Sequence, residues 1–70
     1  MDIGTILYER RIEKGLTQEE VAFRIGVSRQ IIYKWENNIS APTIYNFMEL
    51  MILLNFDLCV INDDIEVVYK

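Results

Sequence analysis

Thr17–Asn38 reads TQEEVAFRIGVSRQIIYKWENN, and its own punctuation divides it into two short helices. Thr17 is a natural N-cap, and Glu20, three residues on, is placed to reach back to the N–H of the cap. Val21, Ala22 and Ile25 then share one face at helical spacing. Gly26 follows, where a left-handed backbone ends a helix without steric cost. Ser28 is the next N-cap and opens a second helix of about ten residues. The turn between them is Ile25-Gly26-Val27-Ser28.

At about 100° per residue, Ile31, Ile32 and Trp35 share one arc of the second helix, while Arg29, Gln30, Tyr33, Lys34 and Asn37 share the other. One arc packs and the other offers hydrogen-bonding groups. Polar residues at such spacing usually mean only a solvated face. Arg, Gln and Lys also suit guanine and adenine edges in the major groove, whose width admits a helix.

These residues resemble the phage Cro and repressor type, or XRE, helix-turn-helix domain. The matching signature is Arg11, Lys14-Gly15-Leu16-Thr17-Gln18, Ala22, Gly26-Val27-Ser28, Ile32, Trp35-Glu36-Asn37 and Pro42, and it covers roughly residues 3–56. The resemblance implies a mainly α fold, a four-helix repressor-like helix-turn-helix domain over residues 1–56. Arg29, Gln30 and Lys34 match base-reading positions, and Tyr33 lies between them, in reach of phosphate or a thymine methyl. Gln18 matches a phosphate contact, where helix N–H groups and an amide suit an anion. Arg11 resembles the arginine that turns inward to pair with the glutamate ending the recognition helix, here Glu36. Asn37, Ser40 and Thr43 are candidates for further contacts to the phosphate backbone.

The chain has 70 residues, enough for one domain and near the size where a single core is marginal without dimerisation or a staple. Cys59 is its one cysteine, so no internal disulfide forms, and no signal peptide or long apolar run is legible; a reducing cytoplasm and no membrane are expected. Without histidine, the usual zinc ligand sets and the commonest general base are missing. No cofactor and no enzymatic activity are expected. The net charge of −4 is unevenly placed: residues 10–38 hold six cations and four anions, leaving +2, and the rest of the chain carries −6. The candidate DNA face is thus the least acidic part, and a shallow salt dependence follows from the few phosphates it neutralises.

Around this unit, residues 2–14 read as a helix capped by Asp2, with Ile3, Ile6 and Leu7 on one face and Arg10 at its edge. Either the aliphatic stem of Arg10 covers the core edge while its head reaches water, or the core is looser there. Phe23 faces away from its apolar neighbours and is expected to be an exposed contact for a partner. Asn38 suits a left-handed C-cap, and Thr43 caps the next helix after Pro42.

That helix, Ile44 to about Asn55, carries a core stripe of Ile44, Phe47, Leu50, Met51 and Leu54. Beside it runs a second apolar stripe, Tyr45, Met48 and Ile52, with Leu53 on the far side. A helix apolar nearly all round is buried on more than one side, and in so small a domain the second side points to another copy. Residues 57–61 and 65–69 are rich in β-branched residues and split by Asn62-Asp63-Asp64, which predicts a short C-terminal β-hairpin or strand. Such a hairpin is marginal alone, so residues 57–70, through Leu58, Val60 and Val67, are expected to join the Tyr45, Met48 and Ile52 stripe in a dimer interface.

The sequence therefore predicts a homodimeric, sequence-specific regulator of double-stranded DNA that represses a palindromic operator. A variant of that reading is the antitoxin of a toxin–antitoxin pair, with a toxin as protein partner. A different class is a helix-turn-helix-fold interaction module without DNA binding, motivated by the net charge and the spare apolar surface.

Overall fold

A computed structural model describes the backbone of residues 2–61 and 64–69 and the side chains of residues 2–55. The elements run α1 (Ile3–Glu13), α2 (Gln18–Ile25), α3 (Arg29–Glu36), α4 (Ile44–Leu54), β1 (Phe56–Ile61) and β2 (Asp64–Tyr69).

Each helix starts where a side chain satisfies an otherwise orphaned N–H. Asp2 accepts from the Thr5 N–H at 2.8 Å, Ser28 from Ile31 at 3.3 Å and Thr43 from Asn46 at 3.2 Å. Thr17 and Glu20 form the reciprocal box: the Glu20 N–H donates to Thr17 Oγ1 at 3.0 Å and the Thr17 N–H to Glu20 Oε1 at 2.9 Å. Gly26 ends α2 at φ +82, the left-handed turn its sequence position predicts.

Leu7, Val21, Ala22, Ile32, Trp35, Phe47, Leu50 and Leu54 form the core, so all four helices contribute to it. Leu16, Ile25, Val27, Ile31, Met51 and Leu53 pack against it half-buried. Two expectations for α4 need correction. Ile44 is 63% exposed, because it stands at the first residue of the helix and reaches the rim of a groove with Ile3, Pro42 and Phe47 rather than the core. Leu53, expected on the far side, packs against the core.

The expectation that the head of Arg10 reaches water does not hold. The side chain is 6% exposed, and its Nε and Nη2 donate to the carbonyl oxygens of Leu54 at 3.1 Å and Asn55 at 2.9 Å. Its Nη1 pairs with Glu13. The guanidinium thus satisfies carbonyls at the C-terminal end of α4 that have no helical partner.

β1 and β2 pair antiparallel, with Leu58 opposite Val67 and Val60 opposite Ile65. Of the expected turn, Asn62 and Asp63 lie outside the described residues. Among the described residues, no helix is long and apolar enough to cross a membrane.

Candidate nucleic-acid interface

The second helix of the unit, α3, is divided as its sequence requires. Ile32 and Trp35 are buried and Ile31 is half-buried against the core, while Arg29, Gln30, Tyr33, Lys34 and Asn37 are exposed. Gln30 and Lys34, and likewise Arg29 and Tyr33, are one turn apart, so the four side chains form one ridge. The cap at Ser28 places Arg29 and Gln30 in the first turn of the helix, where the backbone dipole is positive.

What holds this ridge in place is a buried ion pair. Arg11 Nε donates to Glu36 Oε2 at 2.6 Å and Arg11 Nη2 to Glu36 Oε1 at 3.1 Å, a two-point contact between α1 and the last residue of α3. Arg11 Nη1 also donates to the Leu16 carbonyl at 2.9 Å, and Gln18 Nε2 donates to Glu36 Oε1 at 3.1 Å. The pair therefore ties the loop before α2, through Arg11, and the start of α2, through Glu36, to the end of α3. Every buried side-chain nitrogen and oxygen among the described residues has a hydrogen-bond partner, so the network is complete rather than strained.

A second tie closes the same end of α3. The Gly4 N–H donates to Asn38 Oδ1 at 3.1 Å, and Asn38 Nδ2 donates to the N-cap Asp2 at 2.9 Å. Asn38 adopts φ 59, the left-handed conformation, one residue beyond the α3 cap at Asn37. Asp2 is held below its usual carboxylate range by the Thr5 N–H and then by the Asn38 amide.

The other sequence-selected residues are placed as follows. Gln18, Tyr33 and Asn37 meet around one shallow depression, together with Thr5, Tyr8 and Glu36. Asn37 Nδ2 is bonded to the Tyr33 carbonyl at 2.9 Å. Ser40 and Thr43 are exposed on the connection to α4, away from that depression, and Thr43 Oγ1 already accepts from the α4 N-terminus. Tyr45, Met48 and Ile52 are exposed along one stripe of α4. For Leu58, Val60 and Val67 only the strand register is described, and their side chains lie outside the described residues.

Sequence reasoning missed Thr5 and Tyr8, which border the depression from α1. Their spacing to Arg11 was the available signal: Tyr8 lies one turn before it, and the Arg11 guanidinium stands 5.4 Å from the Tyr8 ring centre.

A model of the helix-turn-helix family matches residues 7–61, most of the chain. The chain belongs to the XRE-type helix-turn-helix family. Among family relatives, an uncharacterized HTH-type transcriptional regulator of Methanothermobacter thermautotrophicus is 48% identical over 40 residues, 57% of this chain and 58% of that protein. The ImmF control region 10 kDa protein of Bacillus phage phi105 is 34% identical over 59 residues, 84% of this chain and 66% of that protein. An uncharacterized HTH-type transcriptional regulator of Sinorhizobium fredii is 42% identical over 48 residues, 69% of this chain and 62% of that protein. The chain thus spans about three-fifths to two-thirds of the length of these relatives.

Proposed function

We propose that the chain is a sequence-specific DNA-binding transcriptional regulator, acting in the cytoplasm as a homodimeric repressor of a palindromic operator. The observation that carries this reading is the ridge of Arg29, Gln30, Tyr33 and Lys34, exposed on a helix whose opposite arc is locked into the core. Relatives named as transcriptional regulators, and one named for a phage control region, support it.

In this reading, Arg29, Gln30 and Lys34 read base edges from the major groove and Tyr33 touches phosphate or a thymine methyl. Gln18 and Asn37 meet a phosphate at the depression they share, with Ser40 and Thr43 contacting the backbone further along. Residues 1–56 bind DNA and residues 57–70 dimerise, joined by Tyr45, Met48 and Ile52. Two α3 helices then enter successive major grooves, with half-sites about 34 Å apart.

One observation favours a second reading. Phe23 is 87% exposed on α2, which suits a protein-interaction module of the same fold without DNA binding. A mobility shift against a random-sequence duplex pool at low salt separates the two. A shifted band that an Arg29, Gln30 and Lys34 triple alanine variant fails to give supports the regulator. Absence of any shift by the wild-type protein supports the interaction module. Analytical ultracentrifugation at micromolar concentration tests the dimer, and a dimer that survives deletion of residues 57–70 contradicts the role given to the tail.

A further inference from the structure

We infer that Arg10 is the joint that sets the angle between the helix-turn-helix unit and the C-terminal β-segment, and through it the half-site spacing that the dimer accepts. The inference rests on the dimeric DNA-binding reading above.

Two consecutive arginines of α1 hold the two ends that matter for presenting α3 twice. Arg11 grips Glu36, the last residue of α3. Arg10 grips Leu54 and Asn55, the last residues before β1 begins at Phe56. Between these two carbonyls the chain turns, because Asn55 has φ 58 and ψ 57. Asn55 is therefore the pivot by which β1 leaves α4.

Peptide groups are planar, so the Leu54 carbonyl reports the plane before the pivot and the Asn55 carbonyl the plane after it. A single rigid guanidinium bonded to both planes fixes the two soft torsions between them. Apolar packing at position 10 would fill the same space without that direction. It would also avoid burying a charge, which is costly unless the charge is paired and hydrogen-bonded. The buried arginine thus does what a leucine there would not: it sets the exit direction of the tail.

The test is binding of wild-type, Arg10→Leu and Arg10→Lys proteins to a single selected half-site and to duplexes carrying two half-sites at stepped spacings. Circular dichroism establishes that each variant is folded. The wild-type protein is expected to lose on the order of a hundredfold when the spacing is moved half a helical turn from its optimum, since avidity vanishes where geometry forbids simultaneous engagement. Arg10→Leu is expected to bind the single half-site as the wild-type protein does but to lose less than about threefold on the same change of spacing, because a loose joint reaches both sites. If Arg10→Leu does not fold, Arg10→Lys decides by the same comparison: it keeps the charge but cannot bridge both carbonyls from a planar fork. A folded variant with the wild-type spacing optimum, or one weakened equally on the single half-site, overturns the inference alone. A wild-type protein with no spacing optimum overturns the dimeric reading and the inference with it.

Discussion

A Cβ on Gly4 would lie 2.5 Å from the carbonyl oxygen of Glu36. The start of α1 therefore crosses the end of α3 backbone against backbone, and the Trp35 carbonyl oxygen is 2.6 Å from the same point. Neither obstacle is a flexible side-chain end, so relief requires the helices to part. Gly4→Ala gains roughly 1 kcal/mol of helix propensity but overpacks a tight contact at about 1–3 kcal/mol. A net loss of stability in urea unfolding is expected, and an unchanged or raised midpoint would show that the helices part freely.

The Arg11–Glu36 pair is buried on both sides, with side chains 9% and 3% exposed. Removing one partner strands the other as a buried charge. Arg11→Met alone is expected to cost about 3 kcal/mol or more, whereas Arg11→Met with Glu36→Leu costs much less than the two single changes added. Denaturant unfolding of the four proteins in the cycle gives the coupling, and additive losses would mean that the pair is independent in practice.

Local devices were legible in the sequence because they need only a few residues. The Thr17 and Glu20 box, the left-handed Gly26 and the split arcs of α3 all follow from short spacing rules. The roles of Gly4 and Arg10 were not legible, since both depend on approaches between residues 31 to 45 positions apart in the chain. Ile44 misled for a related reason: periodicity puts it on the core stripe, but its place in the first turn of α4 carries it beyond the core. The exposed ridge of the candidate interface was read directly, whereas the depression joining Gln18, Tyr33 and Asn37 needed α1 to lie beside them.

Asp2 and Glu20 both have carboxyls held below their ordinary range, Asp2 first by the Thr5 N–H and Glu20 first by the Thr17 N–H. A group whose pKa is lowered by folding adds stability above its unfolded pKa and loses it as pH falls through the folded value. Stability from these two caps should therefore be full above about pH 5 and decline below it. An Asp2→Asn, Glu20→Gln double variant keeps acceptor oxygens but does not titrate, so its stability should fall less steeply between about pH 5 and pH 3. Parallel curves for the two proteins in acid would contradict this.

Gln30 stands exposed in the first turn of α3, the part of the helix that enters the groove first in the proposed reading. Gln30→Ala should weaken binding to a selected site by about 1–3 kcal/mol and relax preference at one base position. Footprinting that shows an unchanged sequence preference would remove Gln30 from the reading set.

In the proposed function, α3 reads DNA and is presented twice. Selection of bound sequences from a random duplex pool with the wild-type protein tests it most directly. The expected result is an enriched inverted repeat whose half-sites lie about one helical turn, or 34 Å, apart. A pool that remains random after repeated selection, or enrichment of one unrepeated site, would contradict it.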